Sequence, residues 1–87
     1  LATLVAADRR RLLQHPQAGP ASYRLFELLP TMPRFSMERV RQSLGTTFPT
    51  ASAAVRVLQE LGIAKEVTGQ KKNRVFSYQA YIDLLSR

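Results

Sequence analysis

The stretch FSMERVRQSLGTTFPTASAAVRVLQELGIAKEVTGQKKNRVFSY, from Phe35 to Tyr78, decides the fold. Val40 and Leu44 lie four apart, so they share one face of a short first helix. Gly45 follows where the chain must leave that helix, a position that commonly needs positive φ. Thr47 can cap a second helix, and Pro49 falls in its first turn, where a missing N–H costs little. Ala51, Ala54, Val55, Leu58 and Leu61 recur at helical steps along it, and Gly62 stops it. Ala51 and Ala54 are small enough to let two backbones approach at a crossing. Two β-type runs, Ile63–Val67 and Arg74–Tyr78, then flank the polar loop Thr68–Asn73. Helix, tight turn, helix and hairpin in that order predict a winged helix-turn-helix. The fold class is mainly α (α+β), with a three-helix core, a β-hairpin wing and an extra N-terminal helix.

Working outward, Leu1–Gln14 reads as that extra helix. Leu1, Leu4, Val5 and Leu12 lie near one face, with Asp8 to Arg11 mostly outward. The run Arg9-Arg10-Arg11 is either a solvated helix end beside the C-terminal carbonyls or a phosphate clamp. The helix is too apolar to stand free, so it packs on this domain, on a second copy or on sequence upstream. His15-Pro16-Gln17-Ala18-Gly19-Pro20 breaks the helix, and His15 has no Cys, His or acidic cluster beside it to make it a ligand. It reads as a surface loop residue. Residues 1–20 are thus an N-terminal helix and linker, and 21–87 the winged-helix domain.

Ala21–Leu29 is the next helix, with Leu25, Phe26 and Leu29 toward the core. Pro30 ends it and Pro33 keeps the connection extended, while Met32 and Met37 fill core edges. Phe35 contributes a very short strand to the wing sheet, and Ser36 caps the following helix with Glu38 in its first turn. Phe76 and Tyr78 face the core from the last strand, with Val75 and Ser77 on a partly exposed side. Tyr81, Leu84 and Leu85 close the fold in a turn or two of helix. The expected core is Leu25, Phe26, Leu29, Val40, Leu44, Ala54, Val55, Leu58, Leu61, Ile63, Phe76 and Tyr78.

Composition bounds the function. At 87 residues the chain is one domain, and 45% hydrophobic content supports a core, while no apolar run is long enough to span a membrane. There is no cysteine, hence no disulfide framework and no thiolate metal site, which is compatible with a reducing compartment, and the expected localisation is cytoplasmic. No signal peptide is visible, and opening on Leu1 rather than Met suggests a fragment or a processed N-terminus. Thirteen Lys and Arg against six Asp and Glu leave a net charge of +7, which favours a polyanionic partner. No nucleophile–base pair, metal cluster or phosphate loop is present, so neither a catalytic nor a cofactor site is expected. Thr68-Gly69-Gln70-Lys71 has too few glycines for a phosphate cradle.

The segment from Thr46 to Leu85 resembles the C-terminal winged-helix module of Fic-family proteins, many of which transfer AMP from ATP to protein hydroxyls. The likeness is carried by the proline-led second helix, Leu61-Gly62-Ile63, Glu66-Val67-Thr68-Gly69, Asn73-Arg74-Val75-Phe76 and the closing Tyr81–Leu85. Arg41 departs from it, standing where such helices usually carry a small residue toward the partner helix. Either its stem snorkels out or the crossing is wider. The family's catalytic loop, H-x-F-x-[DE]-G-N-G-R, is absent, since His15 is followed by Pro16-Gln17-Ala18. The resemblance therefore implies a non-catalytic module, acting in regulation, docking or dimerisation beside an ATP-dependent adenylyltransferase domain. Its partners would be that upstream Fic catalytic domain and, through the N-terminal helix, a second copy.

The alternative is a DNA-binding winged helix. The outward positions of the proposed recognition helix are Thr50, Ser52, Ala53, Arg56, Val57 and Glu60. Arg56 is the one basic residue among them and Glu60 cancels it, so base discrimination has little to work with, though Gln59 could contribute late in the helix. Thr46, Thr47, Thr50 and Ser52 can touch phosphates without specifying sequence. In the wing, Lys65, Lys71, Lys72 and Arg74 outweigh Glu66, which suits phosphate or minor-groove contact, or simply keeps a strand edge soluble. Any DNA binding is expected to be weakly sequence-specific.

Overall fold

Caps set most helix boundaries in the computed structural model, which describes residues 2–67 and 74–86. The elements run α1 (Ala2–Leu13), α2 (Pro20–Leu28), β1 (Arg34–Ser36), α3 (Met37–Leu44), α4 (Phe48–Glu60), β2 (Lys65–Glu66), β3 (Val75–Ser77) and α5 (Gln79–Leu85). Leu1 and the expected loop Thr68–Asn73 lie outside the described residues. The result is a small, mainly helical α+β fold. Among the described residues no helix is long and apolar enough to cross a membrane.

Ser36 accepts the Arg39 N–H at 3.1 Å and starts α3. Thr47 accepts the Thr50 N–H at 3.4 Å and starts α4, with Pro49 in the first turn. Pro20 begins α2 one residue earlier than Ala21, since proline is favoured at a first helical position. The Ser22 hydroxyl there accepts from the Gly19 N–H and donates to the Gly19 carbonyl, both at 2.8 Å, which explains a serine in the buried interior. Gly45 and Gly62 end α3 and α4 with φ of 61° and 74°, a conformation that side-chain-bearing residues rarely adopt. At each, the N–H of the next residue reaches back to a carbonyl in the last turn, Thr46 to Arg41 and Ile63 to Leu58.

Helix α4 packs against both α2 and α3. Val40, Leu25, Leu29, Ala51, Val55 and Leu58 are fully buried between them. Each large apolar side chain so placed contributes roughly 1.5–3 kcal/mol relative to exposure. The three strands form an antiparallel sheet in the order β1-β3-β2. Phe35, Phe76 and Glu66 stand in one cross-strand row, and Arg34, Ser77 and Lys65 in the next. The first row turns Phe35 and Phe76 inward, stacked at 5.8 Å between ring centroids.

Four expectations need correction. Val57 is 5% exposed rather than outward, because α4 is covered on two sides and its apolar arc is wider than one helix–helix seam requires. Asp8 is buried, not outward: Tyr78 Oη donates to its Oδ2 at 2.6 Å and Arg11 Nη1 donates to Oδ1 at 3.0 Å. Leu61 is half-buried at the cap of α4 rather than in the core. Ser77, expected on a partly exposed side, is fully buried at the centre of the sheet, its hydroxyl donating to Gln79 Oε1 at 2.9 Å.

Helix α1 packs on the core of this same chain, through Leu12 at 1% exposure and through Leu4 and Val5. Arg41 takes the snorkelling route: its Nε donates to Glu38 Oε1, one turn back, at 2.6 Å.

Candidate functional site

The outward face of α4 begins at its cap. Thr47 Oγ1 accepts the Thr50 N–H and donates to Thr50 Oγ1 at 3.1 Å, so these two hydroxyls are first of all partners of each other. Thr46 and Ser52 are half-buried, and Thr47, Thr50 and Arg56 are exposed. Between them the face is apolar: Phe48 is 55% exposed, and Pro49 and Ala53 are exposed beside it. With Val57 turned inward, Ala53 and Val57 form one side of a groove of about 330 Å³ against Pro20, Ala21 and Gln17. This groove was not foreseen. Its signal was the proline that starts α2, which brings a bare, side-chain-poor helix end against small residues of α4.

Arg56 makes no ion pair among the described residues. Glu60, expected to cancel it, is held elsewhere, 3.0 Å from His15 Nε2. His15 Nδ1 accepts the Gln17 N–H at 3.0 Å, which places the ring proton on Nε2 for donation to Glu60. His15 is therefore a half-buried strut between the α1–α2 turn and the end of α4, not a free surface side chain.

In the hairpin, Arg74 Nη2 donates to Glu66 Oε1 at 2.7 Å and the guanidinium lies 5.1 Å from the Phe76 ring centroid. The hydrogen bond to Glu66 holds the Arg74 guanidinium above its ordinary pKa. Arg74 is thus already committed within the protein, whereas Lys65 is exposed on β2. Lys71 and Lys72 lie outside the described residues.

The other acids follow the same pattern. Arg9 holds Glu27 through a bidentate pair at 2.7 and 2.8 Å, which lowers the Glu27 pKa. Arg11 bridges Asp8 to the Leu61 carbonyl at the end of α4, where a cation suits the helix dipole. Around Tyr78, burial first and the bond to Asp8 second push the phenol pKa upward. Cations with no ion pair among the described residues are Arg10, Arg24, Arg34, Arg39, Arg56 and Lys65. Of the sites expected to contact nucleic acid, then, Arg56 and Lys65 are exposed and uncommitted, and Arg74 is not. Arg34 and Arg39 were overlooked. The clue to Arg39 was its place in the first turn of α3, the wrong end of a helix for a cation. Neither models of protein families nor curated proteins match this sequence.

Proposed function

We propose that this chain is a winged-helix docking module, a non-catalytic unit of the kind that adjoins the catalytic domain in Fic-family adenylyltransferases. In this reading α2, α3 and α4 are the three-helix core, β2 and β3 the wing, and α1 the added helix. The observation that carries it is the outward face of α4, where Phe48, Pro49 and Ala53 border an apolar groove. A DNA reader needs donors and acceptors there for base edges, and among the described residues Arg56 is the one charged side chain of the face without an ion-pair partner. A face of this kind suits an apolar side chain of another protein surface. Self-association through α1 is the lesser part of the proposal. Leu4, Val5 and Leu12 already pack on the core and leave Leu13, 61% exposed, to make it.

The test is calorimetric titration of the chain with a separately produced Fic-type catalytic domain, alongside fluorescence anisotropy with varied DNA duplexes. Saturable binding to the domain, weakened by Phe48→Ser and Ala53→Asp, is expected. DNA binding is expected to be weak, salt-sensitive and alike for all duplexes. The reading fails if one duplex binds tightly at physiological salt and Arg56→Ala abolishes that preference.

The DNA reading keeps one specific support: Arg56 and Lys65 are exposed cations without an acidic partner among the described residues.

A further inference from the structure

Away from α4, a second groove of about 560 Å³ runs between α5 and the corner where β1 meets α3. Met32, Pro33, Ile82 and Leu85 supply its apolar lining, and Arg34 and Arg39 its charge. Helix α5 is unusual in the fold: none of its residues is buried. Tyr81 is occupied by stacking on Tyr78 at 5.4 Å, while Leu85, toward the groove, is 53% exposed. The side of α5 bearing Ile82 and Leu85 is therefore left without a cover from the rest of the described chain.

The two arginines are not accounted for by folding. Both are exposed and neither has an acidic partner among the described residues. Arg39 stands in the first turn of α3, where the helix dipole disfavours a cation. Glu38, the acid next to Arg39 in sequence, is turned to Arg41. Two unanswered guanidinium groups beside an apolar trough make a surface whose complement carries carboxylates next to an aliphatic or aromatic anchor.

We infer that this groove docks a short acidic segment of another protein, with a leucine- or phenylalanine-type side chain seated against Ile82 and Leu85 and its carboxylates on Arg34 and Arg39. A nucleic acid fits less well. The trough would set its phosphates against Met32, Pro33 and Leu85, and among the described residues no aromatic ring lines it to stack a base. The inference does not rest on the docking proposed for α4, since no lining residue is shared between the two grooves.

The probe is a short fluorescein-labelled peptide with leucines at helical spacing among glutamates, followed by fluorescence anisotropy against the whole chain. Three companions go with it: a peptide with glutamine for glutamate, one with serine for leucine, and a fluorescein-labelled DNA duplex. Saturable binding of the first peptide is expected, with about tenfold weaker binding for either altered peptide. The double variant Arg34→Gln/Arg39→Gln should weaken the acidic peptide by a similar factor of about ten and leave the glutamine peptide unchanged. Leu85→Ser tests the apolar half on its own. All these side chains are exposed, and thermal melts of the variants check that they fold. Absence of saturable binding overturns the inference. So does equal binding of the serine peptide, which would reduce the groove to charge attraction, or a duplex that binds more tightly and loses that binding in the double arginine variant.

Discussion

Two carboxylate contacts, those of Asp8 and Glu66, differ in how deeply they are buried. Asp8 reaches from α1 to Tyr78 at the end of the sheet, with its side chain 8% exposed and both oxygens occupied. Glu66 holds Arg74 across the hairpin, with side chains 22% and 40% exposed. The distances are alike at 2.6 and 2.7 Å, yet the energetic consequences differ. Water can replace either partner of the hairpin pair, whereas a buried carboxylate that loses a donor has nothing to turn to. Geometry alone would rank the two contacts together; burial separates them.

The comparison is best broken from its strongest end. Leu58→Ala sets the scale for pure apolar loss: Leu58 is fully buried, and the cavity should cost about 2–5 kcal/mol in denaturant titration. A change below half a kilocalorie would show that α4 does not hold the core together. Tyr78→Phe comes next. It keeps the ring in the core and takes one donor from Asp8, with an expected loss of about 1–3 kcal/mol by the same titration. An unchanged midpoint would place Asp8 in the same class as Glu66.

The same contact has a pH signature. The Tyr78 pKa is raised in the folded protein from an ordinary value of 10.0, so the native state holds a proton that the unfolded chain releases. That contribution is complete below pH 10.0 and is lost as the pH climbs above it. Urea midpoints stepped upward through this range should fall faster for the parent protein than for Tyr78→Phe. Parallel curves would remove Tyr78 from the account. The smallest effect belongs to Arg74→Ala, which should lower the thermal midpoint less than Tyr78→Phe does because the pair is only partly buried. A larger drop there would mean that the Phe76 ring depends on its guanidinium cover.

Much of the fold is legible in the sequence. Ser36, Thr47, Pro49, Gly45 and Gly62 each act within a few residues of themselves, and their structural roles follow from local chemistry. What escaped notice was non-local. Asp8 looks like a solvated charge until Tyr78 arrives from the far end of the chain. Val57 looks exposed when one partner helix is assumed, and it is buried because there are two. His15 and Glu60 were read separately, although each is the other's partner. The candidate surface suffered most, since the freedom of a cation depends on where every acid goes. Arg56 lost its expected neutraliser, Arg74 proved occupied, and Arg34 and Arg39 emerged only by elimination.

The Asp8–Tyr78 bond also bears on how the chain reaches its fold. Its partners are 70 residues apart, so closing that contact confines nearly the whole polypeptide in a single loop. The pairing of α3 with α4 needs only the Gly45 turn between them and can nucleate while the two ends still diffuse freely. The seam is thus expected to close last and to open first. Loosening it should quicken the escape from the native state while leaving the rate of arrival almost untouched.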